Sequence, residues 1–367
     1  MFRDGIYLSL LVMFYLRSLL LPFSIVYGLV VWVRNRLFDW GWIKSTGFGK
    51  PVIVVGNLAV GGTGKSPMTE HLVKMLAGRY RIATLSRGYG RKTRGYVEVS
   101  EYCTAAQCGD EPLQFKRKFP HIKVAVDEDR VRGVRRLLRE GHDLVILDDA
   151  YQHRTLRPGL AILLFDYRSF SRPKWLLPAG NFRDCFRERR RADVMVVTKT
   201  PPTADEADRQ RIRQRLSLKR PIPVLFASIQ YGQPVPVFRG ATGNTALLTR
   251  ELSVLLVTGI ADPSPLLSHL KQHVREVEHL RFPDHHPYTS TALETIRTRF
   301  HAIRNPSRIV ITTEKDAQRL SDPTLPADVI NGLPLYLIPI QVQFDQHDGQ
   351  IFQDLILNYC NRVAPTH

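Results

Sequence analysis

From Ile6 to Val33 the chain is apolar almost without interruption, IYLSLLVMFYLRSLLLPFSIVYGLVVWV, and only Arg17 carries a charge. Such a run predicts helix, with a kink at Pro22, whose ring removes a backbone donor and crowds the preceding turn. As helix it rises about 40 Å at ~1.5 Å per residue. That exceeds a hydrocarbon core of about 30 Å, whereas the uninterrupted piece after Arg17 falls short of one. Arg34, Arg36, Lys44 and Lys50 follow at once, and positive charge beside an apolar segment stays on the cytoplasmic side. A signal peptide fits poorly, because the apolar part is too long and no small-residue cleavage site precedes the basic run. The reading is a membrane anchor that spans once or lies in one leaflet, and the plain alternative is a buried core helix.

Beyond this segment the apolar positions come in runs of strand length, separated by helical patterns. PVIVV (51–55), RIATL (81–85) and DLVIL (143–147) read as buried parallel strands, since β-branched runs without alternation are covered on both faces. VLFASIQYGQPVPVF (224–238) reads as strand, turn, strand. A second alternation starts at SVLLVTGIADPSPLLSHL, continues through RIVITTEKDAQRL and LPLYLIPIQVQF, and ends in a helix near FQDLILNYCNRV. The expected fold class is α/β: a doubly wound parallel sheet with an N-terminal membrane helix and a second, smaller α/β domain. The expected division is an anchor over 1–39, a nucleotide-binding domain over 40–223, a β-linker over 224–238 and a C-terminal α/β domain over 239–367.

Composition narrows the partners. The 367 residues are 44% hydrophobic, enough for real cores, and the net charge of +18 favours polyanions such as anionic headgroups, phosphorylated substrates or nucleic acid. Cys103, Cys108, Cys185 and Cys360 show no metal-ligand spacing. Reduced thiols are expected.

The first apolar strand runs into GNLAVGGTGKSP (56–67), and a helical pattern follows from Lys65. Strand, glycine-rich loop and helix are the context a P-loop needs, so the sheet is expected to be of P-loop NTPase type. Gly61, Gly62, Thr63 and Gly64 form the turn in which backbone N–H groups face phosphate oxygens. Lys65 reaches the β- and γ-phosphates, and the Ser66 hydroxyl is placed to ligate Mg²⁺. The pattern asks for glycine at position 59, where Ala59 stands. A P-loop site also needs an apolar strand ending in acid, and DLVILDDA supplies Asp148 and Asp149. One holds the magnesium shell and the other tunes it; the pattern does not say which is in direct contact. VMVVTKTPP (194–202) begins like a guanine-recognition element, but Pro201 stands where its aspartate should be, which disfavours a GTPase. What remains is phosphoryl transfer to a small acceptor.

Four further stretches carry acceptor-side chemistry: LSRGYGRKTRGY (85–96), GDEPLQF (109–115), YQHR (151–154) and FPDHHPY (282–288). Singly each has a plain explanation, such as helix capping by Asp110 or solvated loop histidines. With LLPAGNFRD (176–184), and in this order behind an apolar N-terminus, they resemble the tetraacyldisaccharide 4′-kinase family, the lipid A 4′-kinases. The likeness runs from SLLLPFSIVYGLVVWVRNRLFDWG through TTEKDAQRL. It implies transfer of the γ-phosphoryl of ATP, with Mg²⁺, to the 4′-hydroxyl of an acylated glucosamine disaccharide 1-phosphate at the inner face of the inner membrane.

The resemblance also implies roles. Asp110 of GDEP matches the catalytic acid/base, assisted by the histidine of the DH pair, His285, which is preferred to His286 because it follows Asp284. The two lie about 175 positions apart, so they are expected to meet only if the second domain closes over the first. Lys65, Asp148 and Asp149 complete the catalytic set. Arg183 and Asp184 match the LLPAG segment's arginine and acid, with Asp184 in the magnesium shell, although the family more often has glutamate there. Ala150 and Tyr151 stand where Gly-Phe is usual. Arg87, Tyr89, Arg130, Gln152, His153 and Arg183 are expected to bind substrate. The basic run RERRRAD (187–193) suits anionic headgroups. A monomer at the inner-membrane phospholipid surface is expected, with no nucleic acid. The competing class is a membrane-tethered P-loop ATPase that binds nucleic acid or a protein partner, against which stands the lack of a recognition helix or an aromatic-interleaved basic platform.

Overall fold

The computed structural model describes residues 18–171, 173–238, 246–284, 286–322, 325–326 and 332–363. The part of the expected anchor before residue 18 lies outside them. The chain divides into two compact units, one made of residues 1–87, 125–228 and 342–367 and the other of 88–124 and 229–341. Each unit is therefore built from separated stretches of chain, whereas the expected division was into the linear blocks 1–39, 40–223, 224–238 and 239–367.

In the first unit, β1 (Val52–Asn57) is buried at all six positions, as its unalternating apolar run demands. It lies between β5 (Leu144–Asp148) and β6 (Leu160–Asp166), parallel to both. β2 (Ile82–Ser86) joins the outer side of β5, while β7 (Val194–Thr198) and then β8 (Val224–Tyr231) extend the other side, all parallel. With β4 (Lys123–Val126) and β14 (Ile340–Phe344) the sheet runs in the order β14-β8-β7-β6-β1-β5-β2-β4, and β3 (Val97–Glu98) falls in the second unit. The large parallel sheet agrees with the expected α/β class. The C-terminal helix, α10 (Gln346–Val363), also belongs here. Its Tyr359 hydroxyl accepts the Val52 N–H at 2.9 Å, and Phe352 stacks with Phe344 against His71.

The N-terminal helix α1 (Leu21–Asp39) carries Pro22 in its first turn rather than at a kink within it, a position where the missing N–H has no helical partner to lose. Ser24, Val31 and Asn35 are buried. Ser24 Oγ donates to the Leu176 carbonyl at 2.9 Å and accepts from the Ala179 N–H at 2.9 Å. The Tyr27 hydroxyl donates to the Arg183 carbonyl at 2.9 Å. Phe23, Ile25, Val26, Leu29, Val30, Trp32 and Val33 are exposed, as are Trp40 and Trp42 beyond the helix. Among the described residues no helix is long and apolar enough to cross a membrane.

The second unit has a five-stranded sheet: β11 (Glu276–Arg281), β10 (Ser253–Thr258), β12 (Arg308–Thr313), β13 (Leu335–Ile338) and β9 (Val235–Pro236), parallel except for β9. Successive side chains of β10 enter different cores, as a pleated strand requires. Leu255 and Val257 pack with Leu293, Ile296 and Phe300 of α8 (Ser290–Ala302), while Val254 and Leu256 pack with Leu266 and Leu270 of α7 (Ser264–His273). This unit also holds α3 (Ala105–Cys108), α4 (Asp110–Lys118) and α9 (Glu314–Leu320).

Candidate active site

The loop after β1 passes into α2 (Lys65–Leu76) through Gly64, which caps the helix at φ 82° and ψ 26°. A β-carbon is disfavoured in that left-handed conformation. Two strand ends pin the loop. Asn57 Nδ2 donates to Thr63 Oγ1 at 2.8 Å, and Thr198 Oγ1, at the end of β7, donates to the Thr63 carbonyl at 2.8 Å. Lys65 and Ser66 open α2, whose first backbone N–H groups form an anion-binding end.

Beside it, Val55 pairs in register with Asp148, so β5 delivers its acids next to the loop. Asp149 has φ 54°, an uncommon conformation that short polar residues tolerate and that clusters at functional sites. Its Oδ2 lies 3.8 Å from Lys65 Nζ and accepts from Arg183 Nη1 at 3.0 Å, while Oδ1 accepts from Arg183 Nη2. Burial alone would raise this carboxyl. The Arg183 hydrogen bonds and the charges of Lys65, Arg183 and Arg130 outweigh it and hold the group below its ordinary range. Arg183 arrives because residues 181–183 run beside 58–60: the Val60 N–H reaches the Asn181 carbonyl at 2.7 Å and the Arg183 N–H the Leu58 carbonyl at 2.9 Å. Arg183 Nη2 also donates to Asn57 Oδ1.

Gln152 Nε2 donates to the Asn57 carbonyl at 2.6 Å, and Arg34 donates to the Gln152 carbonyl at 2.6 Å, which clamps the YQHR turn between α1 and the loop. His153 is held at a pKa of about 4, first by burial and then by the charges of Arg130, Arg34 and Arg87, partly offset by Asp129. Arg130, at the head of α5 (Arg130–Arg139), is buried, and Arg87 is exposed. Asp184 is fully buried. Its Oδ1 accepts from Asn35 Nδ2 at 2.8 Å and from the Cys185 N–H at 2.8 Å, and Arg191 lies 3.4 Å from Oδ2. These contacts tie α1 to the LLPAG segment. The basic run is likewise largely engaged internally: Arg190 pairs with Asp39 and Glu188, and Arg191 with Glu188 and Asp184, whereas Arg187 is exposed.

Among the described residues no group of three or more His, Cys, Asp or Glu side chains forms a metal cluster. Magnesium does not require one, because it takes one or two carboxylates and completes its shell with phosphates and water. Ser66 with Asp149 and Asp148 is a donor set of that kind.

In the second unit Asp110 is the first residue of α4 and not its cap; Gly109 takes the capping position. Asp110 Oδ2 accepts from Arg319 Nε at 3.3 Å. Tyr89 is exposed. His285 lies outside the described residues. Its neighbour His286 stacks on Phe282, with ring centroids 4.6 Å apart. Residues 88–124 and 229–341 form one unit. Asp110 and the DH loop are thus fellow members of it, and the long separation between them does not require a domain closure to unite them.

Two residues of the site, Asn57 and Thr198, are not marked by the sequence pattern. Asn57 bonds Thr63, Arg183 and Gln152 at once, and its place inside the loop motif was the available signal. Thr198 stands in VMVVTKTPP, where the local pattern resembles only a guanine-recognition element.

A family model described as tetraacyldisaccharide-1-P 4′-kinase matches residues 16–360. Proteins named tetraacyldisaccharide 4′-kinase from Bacteroides thetaiotaomicron and Parabacteroides distasonis are 41% and 42% identical over 351 and 357 residues, covering 93% and 95% of this chain and 92% and 96% of theirs. A crystal structure of "apo" form LpxK from Aquifex aeolicus in complex with ATP is similar with a TM-score of 0.72 and 29% identity, covering 94% of this chain and 99% of that one. A glycine-rich loop backed by paired acids, an arginine clamp and this likeness along nearly the whole length agree, and the chain belongs to the tetraacyldisaccharide-1-P 4′-kinase family.

Proposed function

We propose that this chain transfers the γ-phosphoryl group of ATP to the 4′-hydroxyl of a tetraacylated glucosamine disaccharide 1-phosphate, at the cytoplasmic face of the inner membrane. The observation that carries the reading is the convergence of Lys65, Asp149 and Arg183 beside the glycine-rich loop in a member of this family. Gly61 to Gly64 cradle the phosphates with backbone N–H groups, and Lys65 neutralises charge on the β- and γ-phosphates. Ser66, Asp149 and Asp148 would hold Mg²⁺, which when bound offsets phosphate charge. Asp110 accepts the proton of the 4′-hydroxyl as its oxygen bonds to the γ-phosphorus; the β–γ bridging P–O bond breaks and ADP leaves. His285 assists that carboxylate. Arg87, Tyr89, Arg130, Gln152, His153 and Arg183 bind the acceptor and the phosphates. Asp184, tied to Asn35, supports the magnesium side by fixing the segment that bears Arg183. The exposed apolar side of α1 lies in the lipid surface.

The test is incubation of the full chain with γ-labelled ATP and an acylated disaccharide 1-phosphate in mixed micelles, followed by chromatography of the lipid phase. Label is expected in the lipid, and label appearing only as inorganic phosphate would overturn the reading. Lys65→Ala abolishes turnover. Asp110→Ala lowers kcat at least about 100-fold while the KM for ATP stays near its original value.

A further inference from the structure

The roles above leave TTEKDAQRL (312–320) unused. It forms the end of β12 and helix α9, whose polar side chains meet α4 one after another. Glu314 pairs with Lys118, Lys315 with Glu111, and Gln318 accepts from Arg117 at 2.6 Å. Arg319 reaches Asp110. The first three contacts are at least partly open to water, where such pairs contribute little. Arg319 differs. Its side chain is 9% exposed, and that of Asp316, one helical turn before it, is wholly buried.

Arg319 divides its guanidinium. Nη1 donates to Asp316 Oδ1 at 3.2 Å and to the Gly259 carbonyl at 3.2 Å, while Nε donates to Asp110 Oδ2 at 3.3 Å. The second oxygen of Asp316 accepts the Gly259 N–H at 2.9 Å and the Thr313 hydroxyl at 2.8 Å. Gly259 itself lies against the DH loop: a β-carbon there would stand 3.0 Å from Asp316 Oδ1, 3.2 Å from the Pro283 carbonyl and 3.4 Å from His286 Cβ. A chain of close approaches therefore runs from Asp110 through Arg319, Asp316 and Gly259 to Pro283 and His286. All of it lies within the second unit.

A buried guanidinium is costly to bury unless its charge and donors are matched, and Asp316 with the Gly259 carbonyl supplies that match. The rigid fork then extends one further donor to a carboxylate that is one-third exposed and would otherwise sample several rotamers. We propose that Arg319, anchored by Asp316, is a positioning residue for Asp110: it holds one carboxylate oxygen and presents the other to the acceptor hydroxyl. The proposal rests on the reading of Asp110 as the proton acceptor.

Full-length variants test it in the lipid assay. Arg319→Met is expected to lower kcat by about 10- to 100-fold, because small displacements of a reacting group have effects of that size. Both KM values should stay within about threefold. Arg319→Lys recovers part of kcat, since an ammonium can meet Asp110 but cannot span Asp110, Asp316 and the Gly259 carbonyl together. In an Asp110→Ala background, Arg319→Met changes kcat less than about twofold, because no carboxylate remains to be positioned. Lys315→Met, which removes an exposed contact between the same helices, leaves kcat unchanged. Wild-type kcat in Arg319→Met, full additivity in the double variant, or an equal loss in Lys315→Met would overturn the positioning role. If Arg319→Met does not fold, Arg319→Lys carries the test: reduced kcat with both KM values kept is expected, and wild-type kcat overturns it. Undiminished kcat in Asp110→Ala alone identifies the base assignment as the point of failure, and the positioning role falls with it.

Discussion

Asp149 shows how much a single residue depends on its surroundings. Its left-handed backbone turns the carboxylate out of β5 toward Lys65 and Arg183, and those cations keep it ionised despite burial. Lys65, Ser66 and the acid pair were legible because loop, strand and acid recur at fixed local spacing. Asn57 and Thr198 were not, because an amide and a hydroxyl gain meaning only when neighbouring strands bring Thr63 and Arg183 beside them. His153 shows the same dependence through pH. Its pKa is lowered to about 4, whereas the unfolded chain protonates near its ordinary value of about 6.5. Between these values the unfolded state binds more protons, so stability is expected to fall as pH drops through that window. Denaturant midpoints of the wild type and of His153→Gln, compared at about pH 7.5, 6 and 5, check this: the substitution should flatten the decline. Parallel declines would show that other groups carry it.

At the scale of elements, α1 is the instructive case. Uniform apolarity marked it as helix and as a lipid-facing segment, yet it also docks on the LLPAG segment through Ser24, Tyr27 and Asn35. Two of its three buried residues, Ser24 and Asn35, are polar, since only protein supplies their hydrogen-bond partners. The outward residues are exposed, as the proposed lipid contact requires. Replacing Phe23, Val26 and Val30 together by serine is expected to weaken cosedimentation with anionic vesicles by at least about 100-fold, at ~1.5–3 kcal/mol for each large apolar side chain withdrawn from water, with little change in the melting temperature. Asn35→Ala, on the inner side, should do the opposite: it costs about 1–3 kcal/mol of stability by stripping a buried carboxylate of a donor and leaves vesicle binding unchanged. Equal vesicle binding by the triple variant would place the lipid contact elsewhere.

For the whole molecule, the net charge of +18 suits a phosphorylated lipid at an anionic surface, and a nucleic-acid partner suits it equally on charge alone. Added DNA or RNA is expected to leave ATP turnover unchanged while the acylated disaccharide stimulates it; a steady-state assay with each polyanion distinguishes the two. Much of the basic run at 187–193 is committed to Asp39, Asp184 and Glu188, so that run offers fewer unpaired guanidinium groups to partners than its count of arginines implies. The sequence by itself determined the α/β class, the glycine-rich loop with its strand and helix, the acid pair and the family, because these are written in contiguous residues with local periodicity. Only the tertiary structure decided that residues 88–124 join 229–341, that the last helix returns to the first unit, and that Arg319 stands beside Asp110. Those contacts join residues about 200 or more positions apart, and a contact at such separation leaves no periodic trace in the chain that makes it.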